Sequence, residues 1–549
     1  MTADKGMGAK ANQFINADDG EDGPPNQATK LLDAVLEISP DLFHAHDGTA
    51  YISFTDNGHY KTMVIGDVRL EAWLRKSAFE LFRKVVNTNV INEVQAYLEA
   101  FALTKGKQTD VFVRLGQNDG KLYLDLGSDD FTVIEVTQTG YKAVACPRQV
   151  KFRRPKGMKP LPLPEADGDL SELRRFINVS DEEWPLLLGW LVATFEPDGA
   201  CLILLMIGQQ GSAKTSGCEV LKNLIDPGVA CLRVPPASQR DLSIAGKNSL
   251  VLGYDNVSRI QPWLSDALCR ISTGAGSAVR QLYRDEDEVF FEFRRPLILN
   301  GITEFVTSPD LVDRAIAIEP PHLPKSARKD KKTFLSEFEE ARPRLLGALL
   351  DAVSCALRRL SEVHLQDAPR MADAARWITA AEPALPIAPG VFLSAYESNQ
   401  TGAADAALDF SKLGNAVIEL MAGQNEWLGN SAELLDTIAS DCSSETELQR
   451  AGWPKNPKAL NSQMRRVAPT LESRGLKVVF GISDGNRKRL IRITSGTAPT
   501  VQPSESPIAE AVRSDGPDDP AGRPGPDTTS SIGQMALTDS DGWTFLGES

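Results

Sequence analysis

The chain has 549 residues, 42% of them apolar and 24% charged, with a formal net charge of −15 at pH 7. At roughly 150 residues per domain this length predicts three to four folding units, and the ordinary apolar content excludes both pervasive disorder and a single small module. The acidic balance excludes a uniformly basic coat for nucleic acid or an anionic membrane, while leaving room for a local basic patch.

Seven cysteines lie more than ten residues apart. They form no CxxC pair for zinc or redox exchange, so reduced thiols in a cytoplasmic protein are expected. Met1–Asp22 is polar and acidic and holds no apolar run of the signal-peptide kind. The longest apolar stretch, Cys201–Ile207, is far short of the roughly 20 residues that cross a bilayer. A soluble protein without membrane contact is therefore expected.

Residues 1–30 mix Gly, Asp, Asn and paired prolines and read as a disordered arm. Thr49–Thr55, the turn Asp56-Asn57-Gly58 and a run through Val64 predict a hairpin. Helical stretches follow at Val68–Val85 and Asn89–Leu103, then strands at Val111–Leu115, Leu122–Leu126, Thr132–Thr137 and Tyr141–Ala145. Residues 31–150 thus read as an α+β domain of unreadable role. His44-Ala45-His46-Asp47 within it allows a metal site or a plain surface loop. Residues 151–169, basic and proline-rich from Lys151 to Pro164, read as a linker.

Residues 170–385 alternate helices with short apolar strands at Leu202–Gly208, Ser249–Asp255, Pro296–Gly301 and Ala315–Pro320, which predicts a mostly parallel α/β sheet with a helical extension, Arg344–Leu360. Residues 386–494 carry helices at Val391–Asn399, Leu408–Met421, Ser431–Ser440 and Pro457–Glu472, closed by strands Lys477–Ile482 and Arg489–Thr494. Helices ending in a hairpin predict a winged-helix domain.

The first strand of the α/β region runs into Gly208-Gln209-Gln210-Gly211-Ser212-Ala213-Lys214-Thr215-Ser216 and then a helix, the context a phosphate-binding loop requires. Lys214 is placed to reach the β and γ phosphates of ATP, and Thr215 to ligate Mg2+. Ala213 stands where glycine is usual, and a methyl there is tolerated if the backbone is already helical. Forty residues after Thr215, Asp255 ends a second strand, as a Walker B carboxylate for magnesium does. Asn300 ends a third, where an amide can orient the attacking water. Arg314 follows fourteen residues later, placed for an arginine finger. Each has a plainer reading: a turn cap, a loop amide, an arginine paired with Asp313.

With Thr273-Gly274-Ala275-Gly276, Val279-Arg280-Gln281-Leu282-Tyr283, Phe290–Phe293 and Pro296–Asn300, this series resembles superfamily III helicases of the AAA+ class, of the phage, plasmid and poxvirus primase-helicase type, over about Leu186–Pro321. The resemblance implies a P-loop ATPase core and a homo-oligomer, usually a hexameric ring. It also implies ATP between subunits and hairpins tracking single-stranded DNA, with Lys214, Thr215, Asp255, Asn300 and Arg314 inheriting the motif roles. Arg280 and Arg284 belong to that hairpin, although acids beside Arg284 equally allow a surface ion pair. Asn256 departs from the second acidic residue common in the family.

Trp453–Thr494 holds ten basic residues against Glu472 and Asp484. That island predicts phosphate contacts from Lys458, Arg465, Arg466, Arg487, Lys488 and Arg489, or else a solvated face docking on acidic parts of the chain. Residues 495–549 carry nine acids against Arg513 and Arg523 and read as a disordered acidic tail. Its tip, Asp539–Leu546, suits a replication protein or the basic island, or is inert. The function expected is an ATP-dependent DNA helicase or translocase serving replication of a phage, plasmid or integrated element. The alternative is an ATP-binding regulatory switch on DNA that scarcely hydrolyses.

Overall fold

The computed structural model describes residues 26–274, 277–280, 288–291, 293–302, 308–409, 412–440, 453–483 and 489–495. Residues 496–549 of the acidic tail and Arg284, Arg487 and Lys488 lie outside them, as do residues 1–25 of the arm.

The first helix, α1 (Gln27–Glu37), begins inside the stretch read as an unstructured arm, because the Asn26 side chain accepts a hydrogen bond from the Thr29 amide and caps it. Strands β1 (Asp41–His44), β2 (Ala50–Asp56) and β3 (His59–Val64) follow, then α2 (Val68–Phe82), α3 (Thr88–Thr104) and β4 (Lys107–Gln108). Asn57 and Gly58 both take positive φ, 52° and 82°, which is the primed turn that matches strand twist and explains the two-residue hairpin. The sheet order is β3-β2-β1-β4. Its inner face, with Ile52 and Phe54, closes on Leu31, Leu70, Leu74 and Leu98 from the three helices.

A second sheet, antiparallel throughout, runs β5 (Leu115–Asn118), β6 (Lys121–Asp125), β7 (Thr132–Thr137) and β8 (Gly140–Ala145) in that order. The boundary expected at residue 150 is corrected here. Leu122, Leu124, Ile134 and Val136 of this sheet share one core with the helices of the α/β region rather than with the preceding helices. Strand periodicity reports that a face is buried, not what buries it. The expected linker is corrected too: Lys151, Phe152 and Leu161 are buried, and Lys151 bonds Asp41 at 2.6 Å.

The α/β region opens with α4 (Trp184–Ala193), buried on every side and so apolar all round. The central sheet comprises β9 (Ile203–Ile207), β10 (Leu252–Val257), β13 (Leu297–Gly301) and β14 (Ala315–Ile318). Between β9 and β10 stand α5 (Lys214–Ile225) and α6 (Gln239–Lys247). After β10 come α7 (Pro262–Thr273) and the paired strands β11 (Ser277–Arg280) and β12 (Glu288–Phe291), and before β14 the short α8 (Pro309–Val312). All pairings within the central sheet are parallel, in the order β10-β13-β9-β14. The strand ending in Asn300 therefore lies between those carrying Asp255 and the glycine loop.

Helices α9 (Lys331–Arg359) and α10 (Ala372–Ala381) cover one face. Trp190 and Trp377 are fully buried there, and each indole N–H finds a carbonyl, Leu202 O at 3.1 Å and Val192 O at 3.0 Å, so apolar burial carries no unpaired donor. The chain continues through α11 (Val391–Asp409), α12 (Lys412–Met421), β15 (Glu426–Gly429), α13 (Ser431–Ser440), α14 (Pro457–Ser473), β16 (Leu476–Ser483) and β17 (Arg489–Ser495). The closing hairpin gains an unforeseen third strand, in the order β15-β17-β16, over a core of Val417, Leu434, Leu460 and Met464. Among the described residues the cysteines are free, and no helix is long and apolar enough to cross a membrane.

Candidate nucleotide site

The glycine loop leaves the carboxyl end of β9 and enters α5 at Lys214. Gly211 takes φ 87°, and a β-carbon there would stand 2.8 Å from the Arg328 guanidinium. Ala213 also lies in the left-handed region, at φ 60° and ψ 22°, just ahead of the helix. The condition for a tolerated methyl, right-handed helical backbone at Ala213, is thus not met. Glycine is usual at such a position because it alone enters that region without a steric penalty.

Lys214 curls over the loop. Its Nζ donates to Gly208 O at 2.7 Å, Gln209 O at 2.6 Å and Ser212 Oγ at 3.4 Å, and burial lowers its pKa. Two loop carbonyls and a hydroxyl thus hold the ammonium over the loop. Ser212 is buried and donates to Gln209 O at 3.1 Å, while Gln209 and Gln210 are exposed at the rim and Ser216 sits in the first turn of α5.

Thr215, Asp255 and Asn300 meet at the carboxyl ends of three adjacent strands. The Thr215 hydroxyl donates to Asp255 Oδ1 at 3.3 Å. The Asn300 amide donates to Thr215 Oγ1 at 3.0 Å and also to Asp255 Oδ1. Asn300 is 2% exposed, and its Oδ1 has no partner. A buried carbonyl left open beside a carboxylate marks a place for a donor such as water. Asn256 is exposed at φ 55°, within a register shift of β10, and its amide returns to Asp255 Oδ1 at 2.8 Å. The oxygen pair of Thr215 and Asp255 suits Mg2+, which takes few protein ligands and completes its shell with water and phosphate.

Arg314 lies at the start of β14, the end of the sheet opposite the glycine loop, and its backbone carbonyl accepts from Ile203 N. Its guanidinium, with the side chain 13% exposed, pairs with Asp310 at 2.5 Å, not with Asp313 as the plainer reading held. Asp313 is taken by Arg370 at 2.7 Å. Asn178 was missed from the sequence: its amide donates to Ser212 O at 3.2 Å and Pro321 O at 2.6 Å, tying the loop to the chain beyond β14. It lies outside every motif, so no local pattern marks it.

For nucleic acid, Lys458 and Arg465 are exposed on α14, and the Arg465 guanidinium stacks over Phe480 at 4.5 Å. Arg466 is on the same helix, Arg489 opens β17 and Arg280 ends β11, but their side chains lie outside the described residues, as do all of Arg284, Arg487 and Lys488. The histidines near the N-terminus gather no ligand set: His44 Nδ1 meets Ala102 O, His46 meets Asp110, and Asp47 pairs with Lys247. Among the described residues no cluster of three or more His, Cys, Asp or Glu is placed to hold a metal.

Two family models match the chain. One, the replication protein of actinomycete integrative conjugative elements, covers residues 169–400. The other, the C-terminal domain of the same protein, covers residues 413–507. No curated protein matches. Among solved structures, two apo forms of the NrS-1 C-terminal region each share 11% identity with the chain at a TM-score of 0.37, covering 86% of this chain and 100% of theirs. The two family models together span more than half of the chain, and over those residues it matches the replication protein of actinomycete integrative conjugative elements.

Proposed function

We propose that the chain is an ATP-driven motor on DNA that serves replication of an integrative conjugative element. The observation that carries this reading is the meeting of Thr215, Asp255 and Asn300 at the ends of three neighbouring parallel strands, beside Lys214. Ligands of open parallel sheets bind at such strand ends. The order β10-β13-β9-β14, with a strand between those of Asp255 and the loop, supports an AAA+ core of superfamily III type.

In this reading Lys214 neutralises the β and γ phosphates, the loop amides cradle them, and Thr215 with Asp255 holds Mg2+. When bound, the ion draws charge from the transferring phosphoryl group. Asn300 positions the attacking water through its free Oδ1. Arg314, too far along the sheet to meet its own chain's nucleotide, acts on that of a neighbour in a hexameric ring. The three-stranded sheet and α14 make a winged helix that meets DNA phosphates with Lys458, Arg465, Arg466, Arg487, Lys488 and Arg489, while Arg280 and, four residues on in the sequence, Arg284 meet a single strand in the channel.

A regulatory switch that binds ATP and scarcely hydrolyses it is the second reading, favoured by Asn256, which offers no carboxylate beside Asp255. ATP turnover by a gel-filtered oligomer, with and without single-stranded DNA, separates the two. The motor turns over faster on DNA and loses turnover in Lys214→Ala. Near-normal turnover in that variant removes the loop as the active site, and turnover indifferent to DNA leaves the switch.

A further inference from the structure

A cavity of about 610 Å³ lies between the N-terminal sheet and the α/β core, lined by Tyr51, Phe112, Arg153, Phe293 and Arg295 among others. It sits at the end of β13 opposite Asn300, so it is separate from the glycine loop. The acids on its wall are engaged. Asp47 pairs with Lys247 at 2.5 Å and Asp110 with His46 at 3.1 Å. Glu196 accepts from the amides of Asp198 and Gly199, and burial holds its carboxyl above the ordinary range.

The guanidiniums are satisfied differently. Arg153 donates to Lys247 O at 2.9 Å and Asn248 Oδ1 at 2.8 Å. Arg295 donates to Gly246 O at 2.9 Å and Arg294 O at 2.8 Å, and Arg294 itself donates only to the carbonyls of Pro197 and Gly199. None of these acceptors is a carboxylate. Gly246 and Lys247 end α6, and a helix C-terminus offers about half a negative charge against the two full positive charges of Arg153 and Arg295. Burial pushes the Arg295 pKa down to about 10, which leaves it charged at neutral pH. Both guanidiniums are half-buried and hydrogen-bond no carboxylate, with Asp226 acting on Arg295 only at a distance, so an anion entering the cavity gains charge-assisted partners there. Guanidiniums favour phosphate through paired N–H groups, the volume holds a mononucleotide, and the rings of Tyr51, Phe112 and Phe293 supply flat apolar walls.

We propose that this cavity binds a phosphorylated nucleoside, with Arg153 and Arg295 facing the phosphate and the Tyr51 and Phe112 rings beside the base. Free nucleotide and a nucleotide unit of a DNA strand present the same chemistry. Isothermal titration of the full chain carrying Lys214→Ala, which disables the glycine loop, is run against thymidine monophosphate and, separately, a short oligothymidylate without terminal phosphates. Saturable binding that Arg153→Gln weakens at least about tenfold is expected. The probe that suffers names the source. Because loss of the half-buried Arg295 and its bonds to Gly246 and Arg294 can unfold the chain, Arg295→Lys, which keeps the charge and removes the fork, is the second variant. At an unchanged melting temperature it too weakens that probe. No saturable binding of either probe, or equal affinity in Arg153→Gln and its parent, overturns the proposal. Full ATP turnover in Lys214→Ala would count only against the glycine loop.

Discussion

Asn300 donates its amide to the Thr215 hydroxyl at 3.0 Å while its own carbonyl oxygen stays buried and unpartnered. One side chain thus links the strand end to the first turn of the loop helix and keeps an acceptor free. Asn300→Ala is expected to lower the ATP turnover number by about a hundredfold, the scale of losing one oriented polar group at a reacting centre, with KM changed little. Steady-state kinetics on the oligomer checks this. A normal turnover number would reduce Asn300 to a structural tie.

Ala213 carries a left-handed backbone that its methyl opposes. That conformation costs an L-residue roughly 1–2 kcal/mol, of which the greater chain entropy of glycine in the unfolded state takes back roughly half. Ala213→Gly should therefore stabilise the α/β core by about 0.5 to 1 kcal/mol. The readout is the urea midpoint of its unfolding transition, and a midpoint at or below the parent's contradicts the strain.

Asp226, at the end of the loop helix, bonds Lys222 at 3.0 Å and Arg114 at 3.4 Å, and accepts from the amides of Leu250 and Val251 ahead of β10. Burial pushes its pKa up, but Lys222, Arg114 and the amides prevail and hold it below the ordinary value. A depressed carboxylate stabilises the fold above its unfolded pKa of about 4, and that contribution disappears as pH falls through the native value. Asp226→Asn is expected to cost about 3 to 5 kcal/mol, since it leaves two buried cations short of their counter-charge. Denaturation followed from pH 7 down past pH 4 (roughly the unfolded pKa) should show the parent losing stability on acidification and the variant changing less. Parallel profiles would show that the carboxylate is not what titrates.

Arg314 is held by Asp310 and lies at the far end of the sheet from its own loop. If it serves a neighbouring subunit, Arg314→Ala should bind ATP normally and fail to hydrolyse it, and mixing with Lys214→Ala subunits should restore part of the turnover. Arg370→Ala, which removes the partner of Asp313 from the same cluster, is the control for lost ion pairing. Equal losses in the two variants, with no recovery in either mixture, would make Arg314 part of the fold rather than of the chemistry.

Much of this molecule is determined by local patterns. The four apolar runs of the central sheet, the Asn57-Gly58 turn and the run from strand through glycines to Lys214 are set by residues close in sequence, because side-chain period, turn φ and helix starts depend on near neighbours. Tertiary structure decided what depends on distant surfaces. The sheet of β5 to β8 joined the α/β core because its apolar face met α9, not α2 or α3. Lys151 became buried against Asp41 and Tyr60 of the first sheet, and Phe152 against Tyr123 and Val133 of the second. Ala213 was forced into a left-handed turn by the geometry linking β9 to α5, and Arg314 found Asp310 rather than Asp313 through the shape of α8. A sequence states that a face is apolar or a charge is present; which partner meets it is fixed only when the chain closes on itself.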